Sequence, residues 1–257
     1  MRVNLAAVIL TLNEERHIAD CVESARWADE VVVIDTNSAD RTVALAKAHG
    51  ARVIEHPFEN YAQIRNAALD LVAAEWILFV DADERVTPAL AAEITEELRA
   101  PKADGYWIPR HNYIFGRLTL GAGWFPDYQM RLLRRARARY DPARPVHELV
   151  ILDGVEGRLK NVLIHYNYET VAQFRQKQAR YVDYDAGILL EKGVRPRPYT
   201  YLTQPLRHFW WRFVTLRGYA DGLHGLRLSA LMAWYEFRKY ARLGALRRDA
   251  NRRRDAL

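Results

Sequence analysis

Short apolar runs alternate with amphipathic stretches over the first hundred residues of the chain. Two of these runs, residues 6–10 and 30–34, lack polar–apolar alternation, which is typical of parallel strands covered on both faces. Further strands are predicted over 51–54 and 76–80, and the intervening helices over 14–27, 42–49 and 62–74. Strands that alternate with helices predict an α/β fold with a doubly wound, mostly parallel sheet.

The pattern changes after a further helix, which is predicted over 87–98 with Pro88 in its first turn. Between Gly105 and Arg134, glycines and a proline separate aromatic and apolar stretches. This spacing predicts strands and loops in place of further strand–helix units.

The last third of the chain is amphipathic and rich in tryptophan and arginine. No run reaches the roughly eighteen apolar residues that a spanning helix needs, because charged residues interrupt each candidate. Two sets of apolar residues nevertheless recur at steps of three and four: Phe209, Phe213, Leu216, Ala220 and Leu223, then Leu226, Ala230, Ala233, Phe237 and Ala241. This pattern favours amphipathic helices lying in a membrane interface. The alternative is a helical bundle that packs on the rest of the chain or in a homo-oligomer.

Charge is divided unevenly along the 257 residues, whose net charge is +6. From Val171 onward there are 18 Lys and Arg against 7 Asp and Glu, a net charge of +11, which leaves −5 for the preceding residues. A basic final segment predicts contact with an anionic surface, either a membrane or a nucleic acid. The single cysteine, Cys21, excludes a disulfide within the chain and suits a reducing compartment such as the cytoplasm.

Polar residues follow three of the predicted strands: Thr11 to Glu15, Asp35 to Ser38, and Asp81 to Glu84. Ligands of open α/β sheets bind at the carboxyl ends of the strands, so these clusters form the candidate site. Asp81 and Asp83 point to one side of an extended chain, where two carboxylates repel unless a cation lies between them. Oxygen ligands suit Mg²⁺ or Mn²⁺, which would neutralise a diphosphate leaving group. The alternative for this pair is a helix cap or a solvated turn.

The order and spacing of four segments resemble the nucleotide-binding half of glycosyltransferase family 2: residues 7–15, 35–40, 65–66 and 79–83. The continuation is similar to the lipopolysaccharide core glucosyltransferase branch: residues 107–113, 123–129, 146–148 and 165–168. The family resemblance implies a GT-A fold and inverting transfer of a sugar. The resemblance to the branch further implies glucose from UDP-glucose as the donor and a lipid-linked inner-core saccharide as the acceptor.

The resemblance also implies roles for the strand-end residues. Four of them would hold the base and ribose of UDP: Thr11, Asn13, Glu15 and Asp35. Arg65 would lie near the phosphates, Asp83 would ligate the metal, and Asp81 would face the ribose or support the metal through water. Taken alone, Asp35 could equally cap a turn and Arg65 could be a surface cation.

Inversion requires a carboxylate that accepts the proton of the acceptor hydroxyl, and Asp127 is the candidate. It follows a glycine- and aromatic-rich stretch, which we expect to lie beyond the sheet and in which Trp124 could stack on a sugar. Pro126 stands where the wider family often has Glu, and a loop-capping Asp127 is the alternative.

His165, expected at the end of a strand over 161–164, is the candidate histidine for the metal or diphosphate. The pair His147 and Glu148 is a second candidate.

Two regions are therefore expected: a GT-A catalytic domain over 1–170, with a nucleotide-sugar half (1–100) and an acceptor half (101–170), and a basic membrane-associating region over 171–257. The expected location is the inner face of the cytoplasmic membrane. A sugar nucleotidyltransferase would carry a glycine-rich basic loop after the first strand, whereas residues 11–15 are acidic and lack glycine. A nucleic-acid-binding module would leave the three acidic strand ends unexplained, so no nucleic-acid partner is expected.

Overall fold

A computed structural model describes residues 4–142 and 149–255, and the chain forms two compact units. The first unit comprises the described residues up to His111 together with those between Asp127 and Tyr166, and the second comprises Asn112–Pro126 and the chain from Asn167 onward. The segment 112–126 belongs to the second unit. The division into a catalytic domain over 1–170 and a membrane-associating region over 171–257 stays a prediction.

The first half of the first unit is built from alternating strands and helices. Its strands are β1 (Leu5–Thr11), β2 (Glu30–Asp35), β3 (Arg52–Glu55) and β4 (Trp76–Asp81), and its helices are α1 (Ile18–Ala25), α2 (Thr42–Ala48) and α3 (Tyr61–Leu71). The strands run parallel in the order β3-β2-β1-β4. The parallel sheet predicted from the apolar runs is confirmed.

Successive side chains of β1 enter two different cores. Ala7 and Ile9 belong to a cluster that contains Ile18 and Val22 of α1, while Val8 belongs to a cluster with residues of α3. Because side chains alternate along a strand, helices cover both faces of the sheet, and every residue from Leu5 to Ile9 is buried. This double covering is why β1 shows no polar–apolar alternation.

The rest of the first unit adds shorter strands and one helix. They are β5 (Glu84–Val86), α4 (Pro88–Glu97), β6 (Gly105–Ile114), β7 (Arg117–Thr119), β8 (Asp127–Arg134), β9 (Ala138–Tyr140), β10 (Val150–Leu152), β11 (Glu156–Arg158) and β12 (Leu163–Tyr168), with a 3₁₀ turn at Arg135–Arg137. Strand β7 and the ends of β6 and β12 fall in the second unit.

These later strands extend the sheet in the order β4-β8-β6-β12-β5, and β4–β8, β6–β8 and β5–β12 are antiparallel. Asp127 is the first residue of β8, so the expectation that it lies beyond the sheet is wrong. His165 lies within β12 and not after a strand over 161–164. Both errors arise because these strands carry polar residues that obscure their extent.

Helices dominate the second unit. They are α5 (Val171–Glu191), α6 (Thr200–Trp210), a π-helical turn (Trp211–Thr215), a 3₁₀ turn (Gly218–Asp221) and α7 (Gly222–Asp255). Their core includes Phe174, Leu228 and Tyr235. Among the described residues, no helix is long and apolar enough to cross a membrane.

The helix expected to continue from Phe209 to Leu223 is interrupted. Arg217 has φ +55° and Gly222 has φ +61°, and this left-handed conformation cannot continue a right-handed helix. Leu216 and Leu223 therefore lie on different elements, although their spacing fits one helical face. The second set, from Leu226 to Ala241, lies within α7 as expected.

Candidate active site

The end of β4 carries the two carboxylates that the sequence singled out. Asp81 is the last residue of the strand, and Asp83 lies in the turn before β5. Asp81 accepts hydrogen bonds from Arg65 Nη2 at 3.0 Å and from Arg131 Nη1 at 3.1 Å, and Arg131 Nη2 also contacts its second oxygen. Arg65 is buried and stacks over Phe79, so it is not a surface cation.

Glu84 connects Asp81 to the proposed base. Its side chain is fully buried, and Oε1 accepts from Arg110 Nη1 at 2.9 Å and Arg131 Nη2 at 3.1 Å. The other oxygen accepts the backbone N–H of Asp81 at 2.9 Å. Arg110 also donates from Nε and Nη2 to Asp127 Oδ2, at 3.0 and 2.6 Å. The ion pairs therefore form one continuous network.

Burial and charge oppose each other in this network. Burial alone would raise the pKa of Asp81, but Arg131 and Arg65 outweigh it and hold that pKa well below its usual range. Burial would lower the pKa of Arg131, and the carboxylates of Asp81 and Glu84 raise it well above its usual value. Asp81 and Arg131 are thus ionised at neutral pH, and their ion pair persists.

Asp83 lies beside the histidine that the sequence assigned to the metal. His165 Nε2 is 3.4 Å from Asp83 Oδ2, and the backbone N–H of Tyr166 donates to the Asp83 carbonyl at 2.9 Å. Strand β12 pairs with β5 in the register His165↔Glu84, which brings this histidine to the turn after β4. Within residues 4–142 and 149–255, no group of three or more His, Cys, Asp or Glu side chains could hold a metal by itself.

The ends of β1 and β2 form the other predicted part of the site. Thr11 is buried, and its Oγ1 has no hydrogen-bond partner in the described part of the chain. Asp35 is also buried and accepts from the backbone N–H of Ser38 at 2.9 Å and from its hydroxyl at 2.5 Å. Asp35 therefore caps the turn after β2, and its carboxylate borders the same strand edge.

Asn13 and Glu15 join the two loops that follow these strands. Asn13 has φ +56°, and its side chain accepts from the backbone N–H of Ala39 at 2.8 Å. Glu15 accepts from Arg41 Nε at 3.2 Å, and its own N–H donates to Asp40 at 3.2 Å. Polar residues predicted to bind the nucleotide thus also hold the loops in place.

The model of glycosyl transferase family 2 matches residues 6–166, which include all of the strand ends described above. The chain belongs to glycosyltransferase family 2. The family predicted from the strand-end motifs is confirmed, and the protein is a glycosyltransferase.

A curated family 2 relative supports the branch that the sequence suggested. The lipopolysaccharide core biosynthesis glycosyltransferase LpsC of Rhizobium meliloti (strain 1021) is 29% identical over 261 residues, covering 93% of this chain and 94% of LpsC. An uncharacterized glycosyltransferase of Rickettsia bellii (strain RML369-C) is 26% identical and covers 96% of this chain and 88% of its own length.

A solved structure supports the fold. Glucosyl-3-phosphoglycerate synthase from Mycobacterium tuberculosis, in complex with phosphoglyceric acid, superimposes with a TM-score of 0.50 at 19% identity. The match covers 76% of this chain and 81% of that one. The α/β GT-A fold with a C-terminal helical region is confirmed.

Three predicted site residues belong neither to the ion-pair network nor to the strand ends described above. Trp124 belongs to the second unit, where its ring contacts Tyr168 and Arg212. His147 and Glu148 lie outside the described residues.

Sequence reasoning assigned no role to three residues of the ion-pair network: Glu84, Arg110 and Arg131. The available signal was a charged residue inside or next to an apolar stretch, as in Arg131-Leu132-Leu133. Lys, Arg, Asp and Glu are almost never fully buried unless they are paired, so charges at such positions indicate partners.

Proposed function

We propose that this family 2 glycosyltransferase is an inverting, metal-dependent enzyme that transfers a hexose from UDP to a lipid-linked saccharide. Glucose from UDP-glucose is the proposed donor, and a lipopolysaccharide inner-core saccharide is the proposed acceptor. Similarity to LpsC over 93% of the chain supports the acceptor class. The observation that carries the chemistry is the approach of His165 to Asp83 at the carboxyl end of β4.

Asp83 and His165 would hold the metal. Two ligands of one octahedral ion lie about 3 Å apart, since metal–ligand distances are about 2.1 Å, and the 3.4 Å between Oδ2 and Nε2 fits this spacing. Mg²⁺ and Mn²⁺ are commonly bound by one or two protein ligands together with substrate phosphates. A bound ion would neutralise charge on the diphosphate as it leaves.

Asp127 would act as the general base. Arg110 fixes Oδ2 with two donors, and Gln129 Nε2 donates to Oδ1 at 3.0 Å. Because Oδ2 already accepts two hydrogen bonds from Arg110, Oδ1 is the oxygen that would accept the proton of an acceptor hydroxyl. The ion pair with Arg110 orients the carboxylate before that transfer.

The strand ends would bind the nucleotide. The Thr11 hydroxyl can offer a hydrogen bond, because no described group uses it. Asp35 and Asp81 present carboxylates for ribose hydroxyls, while Asn13 and Glu15 hold the loop and supply the remaining polar groups. Arg65 would lie near the phosphates of UDP. Its ion pair with Asp81 neutralises part of its charge, so its attraction for them would be weaker than that of an unpaired arginine.

An apolar ridge on α6 is the proposed membrane contact. Tyr199, Leu202, Leu206 and Trp210 recur at helical spacing and are 58–65% exposed. The chain from Val171 onward has a net charge of +11. Exposed aromatic and aliphatic side chains on a basic helix are typical of interfacial anchors on anionic membranes. The enzyme would then act peripherally at the inner face of the cytoplasmic membrane.

Thermal unfolding with a panel of nucleotide sugars, with and without Mn²⁺, tests the proposal. UDP-glucose with Mn²⁺ should raise the unfolding temperature most, because a ligand that binds only the folded state stabilises it by mass action. UDP and UDP-galactose serve as controls for the nucleotide and for the sugar. Equal shifts with ADP-glucose, or shifts that chelator leaves unchanged, would contradict the nucleotide or the metal, respectively.

A further inference from the structure

The π-helical turn Trp211–Thr215 holds a loop of the second unit in close contact. The backbone N–H of Ala122 donates to Leu216 O at 2.8 Å, and Arg212 Nη1 donates to Ala122 O at 2.7 Å. A Cβ placed on Gly121 would lie 2.5 Å from the backbone oxygen of Arg217, so this approach requires glycine. Single π-helical turns are frequent at functional sites.

Arg212 is half-buried and has no carboxylate partner among the described residues. Its Nε donates to His208 Nε2 at 2.8 Å, which requires that nitrogen to be unprotonated. Across the described residues, no Asp or Glu oxygen lies within 4 Å of the guanidinium. The acid whose charge acts on it, Glu236, is engaged by Lys239 Nζ at 2.6 Å. Buried charges are normally paired, so this arginine calls for an anionic partner.

The surroundings of Arg212 are aromatic and carry further polar groups. The guanidinium lies 5.7 Å from the Trp124 ring centre, and Trp124 packs edge-on against Tyr168 at 6.2 Å. Lys177 Nζ lies 5.1 Å from the Tyr168 ring. In the part of the chain that is described, the buried Trp124 Nε1 and Asn167 Oδ1 make no hydrogen bond.

A second cation and two unsatisfied polar atoms therefore accompany the arginine. Asn112 Nδ2 donates to Trp124 O at 2.9 Å and Asn167 Nδ2 donates to Asn112 Oδ1 at 3.3 Å, so the amides fix the indole in place. The C–H face of a sugar ring stacks on an aromatic side chain, and amide groups hydrogen-bond to sugar hydroxyl groups. Guanidinium groups bind phosphate and carboxylate through parallel N–H donors.

We propose that Arg212 and Trp124 form a binding site for a phosphate or carboxylate group carried on a saccharide. Arg212 Nη2, which donates to no described group, supplies the hydrogen bonds to the anion. Assigning that saccharide to the transferase's acceptor rests on the proposed function. The site itself lies wholly within the second unit and uses none of the residues of the metal and base.

Arginine modification on the intact chain tests the site directly. Phenylglyoxal labelling of Arg212, read by peptide mass spectrometry, should slow at least about tenfold with glucose 6-phosphate at ten times its Kd. Glucose and sodium chloride at matched ionic strength should not protect. Inorganic phosphate should protect only at higher concentration, because it lacks the sugar that Trp124 contacts. Equal protection by glucose or by salt would overturn the proposal.

A second arm separates a saccharide from a lipid headgroup. Vesicles of phosphatidylglycerol should protect Arg212 less than glucose 6-phosphate at equal phosphate concentration. Protection by vesicles without protection by the sugar phosphate would overturn the saccharide assignment.

Variants give an independent measurement by calorimetry. Arg212→Gln should weaken glucose 6-phosphate binding at least about tenfold, equivalent to about 1.4 kcal/mol. The control Arg180→Gln, an exposed residue of α5, should leave that affinity unchanged. UDP binding with Mn²⁺ in the same samples reports the proposed function separately and should be equal in all three proteins. Unchanged sugar-phosphate affinity in Arg212→Gln would overturn the site even if UDP binds normally.

Discussion

Arg110 donates two hydrogen bonds to one oxygen of Asp127, from Nε at 3.0 Å and from Nη2 at 2.6 Å. Its third nitrogen donates to Glu84 at 2.9 Å, and Glu84 shares Arg131 with Asp81. The carboxylate proposed as the base and the strand end proposed to meet the metal are therefore positioned by one set of buried ion pairs. Preorganised charges of this kind need no reorganisation during a reaction.

Asp127→Asn should lower sugar transfer by at least about a hundredfold, the lower range for losing a general base. The amide keeps the size of the side chain and removes its affinity for a proton. UDP affinity should be unchanged, because the proposed role concerns the acceptor. Transfer of labelled glucose to a lipid-linked saccharide extract and a UDP titration measure the two effects.

The exposed Asp153, which pairs with Arg137, provides the matched control as Asp153→Asn. That substitution should leave both transfer and UDP affinity unchanged. Near-normal transfer by Asp127→Asn would show that the base lies elsewhere, and Glu148 would be the next carboxylate to test.

Asp83→Ala should reduce UDP affinity in Mn²⁺ to the value that the unsubstituted protein shows in chelator. Removing one of two protein ligands leaves His165 alone to hold the ion. Calorimetric titration of UDP with and without Mn²⁺ measures this, and Asp70→Ala, at an exposed ion pair with Arg139, is the control. Metal-dependent UDP binding that survives in Asp83→Ala would contradict the metal site.

The strands of the parallel half could be predicted because both faces are buried. Ala7 and Val8 enter different cores, so the run through β1 is uniformly apolar and local pattern alone identifies it. Asp81 and Asp83 follow from the same reasoning, because the carboxyl end of such a strand is where ligands bind.

The antiparallel half could not be predicted in the same way. Arg131 sits in β8 and pairs with Glu84, which is 47 residues away in the chain. Such a pairing has no local pattern, and the charges shorten the apolar runs by which strands are recognised. The approach of His165 to Asp83 was expected only from the family resemblance, since the register of β12 on β5 determines it.

Glu84→Gln should destabilise the fold by about 3–5 kcal/mol, the range for removing one partner of a buried ion pair. Arg110 and Arg131 would then share a neutral acceptor, and each would keep only one opposing carboxylate, Asp127 for Arg110 and Asp81 for Arg131. Urea unfolding measures the loss. Glu96→Gln, which removes the charge of a side chain that is 71% exposed and pairs with Arg99, should cost less than about 1 kcal/mol. Equal stabilities for the two variants would contradict a structural role for the network.

Replacing the α6 ridge residues Leu202, Leu206 and Trp210 with serine should release the protein from anionic vesicles. Burial of these exposed side chains and attraction of the basic segment are expected to act together. Co-sedimentation with phosphatidylglycerol vesicles at low and high salt measures binding. Vesicle-independent dimerisation that the same substitutions abolish would identify the ridge as a contact between copies of the chain.

His208 should make the stability of the protein depend on pH in a mildly acidic range. Burial and the neighbouring Arg212 lower the pKa of His208 to about 4, and Lys239 and Arg207 act in the same direction while Glu236 opposes them. In the unfolded chain the pKa returns to about 6.5. As the pH falls from 6.5 towards 4, the unfolded state therefore binds a proton that the folded state does not. Folding stability should decrease over that window.

His208→Asn removes this proton while leaving an acceptor for Arg212. Titrating carboxylates affect both proteins alike, so the informative quantity is the difference between their unfolding free energies. Each pKa unit corresponds to about 1.4 kcal/mol, so the unsubstituted protein should lose about 2–3 kcal/mol more than the variant between pH 7 and pH 4. Urea unfolding at pH 7, 6, 5 and 4 measures that difference. A difference that stays constant across this range would show that the pKa of His208 is the same in the folded and unfolded protein, which would contradict its burial beside Arg212.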